Sequence, residues 1–303
     1  MDLKDILVCL DPTDAGDARL QFAAALAREH HAHVTAAYIR SEQIPGAGVY
    51  AGVYDGIGMH APAEAAVVAP GSLVGGIPAP GTPPAPEGDA TRAMALADII
   101  EQRFREAVQP DALHGEWQVF GAGEARDLVE LARAMDLIVF GQESDDYRLP
   151  TGFGIDDLLV DSGRPMLVVP YAGQFSAVGG HALVAWDGTR EAARALHDAL
   201  PLLGKAEAVT VVSVLAGEQD ARSIALLERA VRHLQHHGIT ARGEEAPRGD
   251  LSIGDVLLSR AADLGADLIV AGGYHHSQLR EALLGGVSRE LLDHMTVPVL
   301  MSH

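Results

Sequence analysis

Several residues in the second half of the sequence have the types and positions that nucleotide binding requires. They are Asp187, Val214, the pair Gly272 and Gly273, and the run Gly285, Gly286, Val287 and Ser288. A carboxylate after an apolar run can accept hydrogen bonds from ribose hydroxyls or an adenine amine, and a strand end offers backbone groups to the edge of a base. Glycines allow close backbone approach, and the free N–H groups that open a helix favour a phosphate. These residues predict a nucleotide site.

Ligands of open parallel sheets bind at the carboxyl ends of strands, so the sequence must place these residues after strands. The sequence also contains an internal repeat, in which three segments recur in the same order in both halves. The pairs are residues 6–13 with 182–189, 136–141 with 267–272, and 164–169 with 297–301. Both members of the first pair end in Asp-x-Thr, so that Asp11 matches Asp187. Three matches in register indicate a duplicated domain.

Short apolar runs alternate with amphipathic stretches in each half. In the second half the predicted strands are residues 181–186, 208–215, 239–244, 267–272 and 298–302, and the predicted helices lie near 189–203, 217–237, 252–264 and 285–295. Apolar runs without alternation are typical of strands buried on both faces, and strand–helix–strand order implies parallel strands. We therefore predict two tandem Rossmann-like α/β domains, residues 1–172 and 178–303, each a five-stranded parallel sheet with helices on both faces.

One stretch of the first half departs from this pattern. Residues 43–90 hold 8 of the 16 prolines and 10 of the 33 glycines. This composition predicts a long irregular insertion, followed by a helix that starts near Ala90. A functional interpretation is a lid or a partner-binding flap, and the alternatives are a flap that lies on its own domain and disorder.

The composition argues against several classes of partner. The 303 residues carry 42 acidic and 22 basic side chains, a formal net charge of -20, so neither nucleic acid nor an anionic membrane is expected to bind. The single cysteine, Cys9, lies in an apolar run, which indicates an inert core thiol. The sequence shows no export signal and no apolar stretch of 18 residues, so we expect a cytoplasmic protein.

The stretch from Gly272 to Ser288 resembles the signature of universal stress proteins, G-x2-G-x9-G-[S/T], and residues 186–189 and 297–300 resemble other segments of that family. The resemblance covers both halves. It implies a tandem HUP-type fold in which the last strands of the two domains pair, and binding of AMP or of ATP with Mg²⁺, as in some members. Here His275 replaces the second glycine and Gly286 stands at the [S/T] position, while Ser288 supplies a hydroxyl two residues later.

The site predicted on these grounds comprises Asp187, Val214, Gly272, Gly273, His275, Gly285, Gly286 and Ser288. The first half is a poorer candidate because of its acidic residues, which are Glu143, Asp145, Asp146, Asp156 and Asp157. Carboxylates at a helix N-terminus satisfy its dipole and repel phosphate, so we predict no triphosphate there. The acidic residues form either a divalent-cation site or a solvated loop, and the absence of Asp-x-Asp-x-Asp spacing favours the loop.

Catalysis is not indicated, and no metal ligand is assigned. The sequence has no G-x-S-x-G elbow and no full Walker motif. His233 and His237 are four residues apart on a predicted helix, but we interpret them as surface caps, and Trp186 as core. The first functional hypothesis is a nucleotide-sensing stress protein. The alternatives are a nucleotide-free scaffold that binds another protein and, last, a slow ATPase, and a homodimer is compatible with each.

Overall fold

The computed structural model describes residues 2–40, 87–109, 113–121, 123–143, 154–175, 179–215, 221–273 and 286–303, with side chains described from residue 94 onward in the second segment. Residues 43–86, most of the predicted insertion, lie outside this part of the chain. The first half contains β1 (Asp5–Leu10), α1 (Asp14–His30), β2 (His33–Ile39), α2 (Glu87–Val108), β3 (Gly115–Phe120), α3 (Ala125–Ala132), β4 (Leu137–Gly141), α4 (Ile155–Ser162) and β5 (Met166–Val169).

The second half repeats this order. It contains β6 (His181–Ala185), α5 (Arg190–Asp198), α6 (Leu200–Leu203), β7 (Ala208–Leu215), α7 (Ala221–His236), β8 (Ala241–Pro247), α8 (Ile253–Leu264), β9 (Leu268–Gly272), α9 (Gly286–His294) and β10 (Val299–Ser302). The predicted α/β class and the five strands in each half are confirmed.

Two predicted boundaries in the second half were wrong. The helix predicted near 189–203 is two helices, α5 and α6, and Pro201 lies at the start of α6, where a missing N–H costs no helical bond. The strand predicted at 239–244 starts later, because Ile239 ends the turn after α7: its N–H donates to Leu234 O at 3.1 Å and its side chain is buried. The apolar character of Ile239 therefore reflects helix capping rather than a strand.

All ten strands form one sheet, in the order β3-β2-β1-β4-β5-β10-β9-β6-β7-β8. Neighbouring strands within each half are parallel, whereas β5 and β10 pair antiparallel, with Leu167 opposite Leu300. The two halves therefore join through their last strands, as the family resemblance implied. In each half the strand order reverses beside the first strand, and this switch point is where parallel sheets leave a crevice for a ligand.

The repeated Asp-x-Thr segment connects the first strand of each half to the following helix. Thr13 caps α1 by accepting from the N–H of Gly16 at 3.1 Å, and Thr189 caps α5 by accepting from the N–H of Ala192 at 3.2 Å. In each half the preceding aspartate accepts from the N–H and the hydroxyl of that threonine. The motif thus has a structural role in starting the helix, whatever else the aspartate binds.

The core lies on both faces of the sheet because successive strand residues point to opposite sides. In β1, Ile6 and Val8 pack with the helices of one face and Leu7 and Cys9 with those of the other. Burial raises the pKa of the Cys9 thiol to about 12, which agrees with the predicted inert core thiol. None of the helices in the described ranges is long and apolar enough to cross a lipid bilayer.

His30, at the end of α1, is a buried ionisable side chain, 2% exposed. Within the described residues, neither of its ring nitrogens has a hydrogen-bond partner. Its pKa lies below the usual 6.5 chiefly because burial disfavours the imidazolium, and the nearby charges of Glu29, Lys205, Asp2 and Lys4 have smaller effects of both signs. The folded protein therefore favours neutral His30.

We expect the free energy of unfolding to fall between about pH 7.5 and about pH 5.5, and to fall less in His30→Leu. The unfolded chain takes up the proton near pH 6.5, whereas folded His30 takes it up only at lower pH. The stabilisation is therefore complete above pH 6.5 and is lost as the pH falls through the folded pKa. Urea unfolding at about pH 7.5 and about pH 5.5 measures the change in the free energy of unfolding. Replacing the exposed His114 by Leu is the control, and an unchanged pH dependence in His30→Leu would contradict the assignment.

Candidate functional site

A cavity of about 310 Å³ lies in the second half, at the carboxyl ends of β6, β7 and β9. The first turn of α5 and residues of α8 and α9 complete its walls. It occupies the switch point of the strand order, which lies between β6 and β9. From there the order continues to β7 on one side and to β10 on the other.

The structure brings together five of the eight residues that the sequence predicted. Those that line the cavity are Asp187, Val214, Gly272, Gly286 and Ser288. Gly273 does not line it, which corrects the prediction: its N–H donates to Ser302 O in β10 at 2.8 Å, and a Cβ there would come within 3.2 Å of Leu159 in the first half. His275 and Gly285 lie outside the described residues.

Asp187 has one carboxylate oxygen committed to the fold and one available. Its Oδ1 accepts from the N–H of Thr189 at 2.9 Å and from the hydroxyl of Thr189 at 2.6 Å. Among the described residues, none donates a hydrogen bond to Oδ2. The side chain is exposed at the mouth of the cavity, so this second oxygen can accept a bond from a ligand.

Val214 lines the cavity near the end of β7. β6 ends its pairing at Ala185 opposite Val212, and the N–H of Trp186 donates to Val212 O at 2.8 Å. Alternate residues of a strand direct their N–H and C=O groups toward the same edge. Those of Val214 therefore point toward the space beyond the end of β6, where the edge of a planar ring can form hydrogen bonds with them.

Gly272, which lines the cavity, also has a packing role that the sequence analysis did not predict. A Cβ at this position would come within 2.6 Å of the backbone nitrogen of Ala192 and of the carbonyl carbon of Glu191. The missing side chain thus allows the first turn of α5 to pack directly on β9. The glycine therefore has a role in helix–strand packing and also lines the cavity.

The sequence analysis also missed the apolar walls of the cavity. Ile253 and Leu257 of α8, Val212 of β7 and Ala271 of β9 line it, together with Trp186. Trp186 was predicted as core, and it does pack against the core, but it is half-buried and also faces the cavity. Cavity-lining and core residues have the same apolar character, so periodicity alone cannot separate them.

The charged side chains that line the cavity within the described residues are both acidic. They are Asp187, which is exposed, and Glu191, which is 7% exposed and forms an ion pair with its neighbour Arg190. Phosphate binding would therefore depend on the N–H groups at the start of α9 rather than on a lysine or arginine of the described wall.

Glu290 connects the two helices that close the cavity. From α9 its carboxylate accepts from the hydroxyl of Ser252 and, at 3.2 Å, from the N–H of Gly254 in the first turn of α8. The carboxylate lies so close to Gly254 that a Cβ there would collide with it. Glu290 therefore caps α8 from a neighbouring helix.

Replacing Glu290 by Ala should lower the free energy of unfolding by about 1–2 kcal/mol, because two donors at the start of α8 lose their acceptor. Urea unfolding measures the change. The adjacent, exposed Arg289 provides the control, since Arg289→Ala should change the stability by less than about 0.5 kcal/mol. Equal effects of the two substitutions would show that the cap contributes nothing.

The matching place in the first half is filled by the chain itself. The guanidinium of Arg19, on α1, donates to Oδ2 of Asp11, and both side chains are at most 6% exposed. Nη1 of Arg19 lies so close to Gly141 that a Cβ there would collide with it. Only about 20 Å³ of free space remains. The second half has the small Ala195 where the first half has Arg19.

That the first half binds no triphosphate stays a prediction. The sequence analysis based it on acidic repulsion, and the structure adds the small free space of about 20 Å³ at this place. Of the acidic residues cited, Asp145 and Asp146 lie outside the described residues, and Asp157 accepts from the N–H of Gly154 at 3.0 Å and so helps cap α4.

Comparisons with known proteins agree with this architecture. The model of the universal stress protein family matches residues 180–303. A universal stress protein from Archaeoglobus fulgidus DSM 4304 has a similar structure over 99% of this chain and 96% of its own, with a TM-score of 0.69 and 13% identity. A functionally unknown protein from Pseudomonas aeruginosa PAO1 is similar over 99% of this chain and 92% of its own, with a TM-score of 0.55 and 18% identity.

No curated protein matches the sequence. The two structural likenesses establish the fold over nearly the whole chain, and the family match covers the half that contains the open cavity. Residues 180–303 therefore match the universal stress protein family, and the whole chain has the fold of a universal stress protein.

Proposed function

We propose that this chain is a stress-response protein that binds one adenine nucleotide, AMP or ATP with Mg²⁺, in the second-half cavity and none in the first half. The observation that carries the proposal is the difference in free space at the two matching positions, about 310 Å³ against about 20 Å³. Cavities that bind small molecules usually measure ~300–1,000 Å³, and the second-half cavity reaches that range.

Each part of a nucleotide has a suitable partner around this cavity. The backbone of Val214 suits the edge of the base, and Oδ2 of Asp187 suits a ribose hydroxyl or the adenine amine. The first turn of α9, with Gly286 and Ser288, offers backbone N–H groups to a phosphate. His275 and Gly285 remain sequence-based predictions for the same site. With ATP, Mg²⁺ would be held largely by the phosphates of the ligand.

Calorimetric titration of the full chain with AMP and with ATP-Mg²⁺ tests the proposal. We expect about one nucleotide per chain, and a loss of affinity of about tenfold, or ~1.4 kcal/mol, in Asp187→Asn. Asparagine keeps an acceptor for Thr189, so α5 retains its cap while the charge and the free oxygen acceptor are removed. The exposed Asp161 lies in the first half, and Asp161→Asn is the matched control that should bind like the wild type.

Each other outcome has a distinct meaning. A ligand at 100 times its Kd should add about 2.7 kcal/mol to the free energy of unfolding. If millimolar nucleotide gives neither a heat of binding nor a Tm shift, the remaining hypothesis is the nucleotide-free scaffold. Two nucleotides per chain would contradict the filled first half. Hydrolysis of ATP well above background would favour the slow ATPase, for which the described cavity wall supplies no evident general base.

A further inference from the structure

The first half shows which chemical group fits against the repeated aspartate. Asp11 uses Oδ1 to accept from the N–H and hydroxyl of Thr13, and its Oδ2 accepts from the guanidinium of Arg19. Asp187 has the same arrangement at Oδ1, where Thr189 donates twice, but none of the described residues donates to its Oδ2. The two halves therefore differ in the partner of one carboxylate oxygen.

The second half has no guanidinium at the matching place. Ala195 aligns with Arg19, and Ala271, which lines the cavity, aligns with the buried Phe140. The first turn of α5 packs directly on Gly272, and the open space beside Asp187 extends toward α8 and α9. The walls there are apolar and suit a flat hydrophobic body rather than a second charged group.

The electrostatics of the cavity favour a cation at this position. Its charged lining residues, within the described part of the chain, are the carboxylates of Asp187 and Glu191, with Arg190 bonded to the latter. A guanidinium or amidinium presents parallel N–H donors to a carboxylate, and such charge-assisted bonds are stronger than neutral ones. The chain itself pairs a guanidinium with Asp11, through one N–H bond from Nη2 of Arg19 to Oδ2.

We propose that the second-half cavity is a receptor for a guanidinium or amidinium group on a flat apolar body. An N–H donor of the ligand binds Oδ2 of Asp187, as Nη2 of Arg19 binds Oδ2 of Asp11, and the body packs on Ile253 and Leu257 of α8. This inference goes beyond nucleotide binding and does not require it. The two ligands would nevertheless compete, since an adenine ring presents a similar flat N–C–N edge and fills the same space.

Benzamidine is a suitable probe, because benzamide has almost the same shape but no charge. We expect calorimetry on the full chain at neutral pH to show that benzamidine binds at least about tenfold more tightly than benzamide. Asp187→Asn should abolish this preference, because it removes the negative charge and replaces the free acceptor by a donor. Asp161→Asn, on an exposed carboxylate far from the cavity in sequence, should keep the preference of the wild type.

Two results would overturn the inference: equal binding of benzamidine and benzamide, or an unchanged preference in Asp187→Asn. Titration with AMP in parallel separates this inference from the proposed function. AMP binding without benzamidine binding would support the nucleotide site and contradict the amidinium receptor. Benzamidine binding without AMP binding would support the receptor and contradict the nucleotide site. If both bind, AMP should displace benzamidine, and failure to do so would place benzamidine outside this cavity and contradict the inference.

Discussion

Replacing Arg19 by Ala should lower the free energy of unfolding by about 3–5 kcal/mol, because it leaves the carboxylate of Asp11 buried without its counter-charge. Asp11 is 4% exposed, and its Oδ1 is already bonded to Thr13, so the carboxylate cannot turn toward solvent without breaking both bonds from the residue that caps α1. The substitution also opens a void beside Gly141. Urea unfolding of the full chain, compared with the wild type at neutral pH, measures the loss.

Two further variants identify the cause of that loss. Arg19→Met combined with Asp11→Asn removes both charges while keeping the bulk and the acceptor for Thr13, so most of the lost stability should return. The exposed pair of Arg105 with Glu101 is the control, and Arg105→Ala should cost less than about 1 kcal/mol. An equal loss of unfolding free energy in Arg105→Ala, or no recovery of it in the double variant, would show that the loss in Arg19→Ala does not come from breaking a buried ion pair.

The fold was predictable because the information about it is local and repeated. Apolar runs such as 182–185 and the matching 6–10 identify buried parallel strands, and Thr13 and Thr189 mark the helix starts that follow them. The errors arose where one residue type serves two structures. Ile239 has the apolar character of a strand but closes the end of α7, and its burial depends on a turn that periodicity does not describe.

The site was predictable only in part, because distances between separate elements decide it. The sequence placed Asp187 and Val214 correctly at strand ends. It could not show that Gly272 packs against α5, or that Gly273 faces β10, because both are adjacent glycines at the same strand end. The Asp11–Arg19 pair was missed, since an arginine eight residues after an aspartate has no recognisable motif.

A signal for the filled first half was nevertheless present in the aligned repeats. When the two Asp-x-Thr segments are aligned, Arg19 aligns with Ala195. When residues 136–141 are aligned with residues 267–272, Phe140 aligns with Ala271. Two large side chains in one copy thus match two alanines in the other. Arg19 and Phe140 both line the crevice of the first half, and Ala271 lines the open cavity of the second half. Duplication followed by such exchanges gives one self-occupied half and one half with room for a ligand.

Ala271→Phe should therefore close the second-half cavity and weaken any ligand that occupies it by at least about 100-fold, or ~2.7 kcal/mol. The side chain of residue 271 lines the cavity, and Phe140 shows that this strand position accepts a phenyl ring in the same fold. Overpacking a dense core usually costs about 1–3 kcal/mol, but here the ring enters a space of about 310 Å³. The ligand-free protein should consequently lose little stability. Calorimetry with AMP and with benzamidine measures the affinity.

Ala271→Ser provides the matched control, because it alters the same residue without filling the cavity and should retain binding. Thermal unfolding of the ligand-free variants distinguishes a closed cavity from a damaged fold, since only damage would lower the Tm of Ala271→Phe by many degrees. Wild-type affinity in a stably folded Ala271→Phe would mean that ligands bind elsewhere. In that case the free space beside Asp187 would have no part in recognition, and the difference between the two halves would concern packing alone.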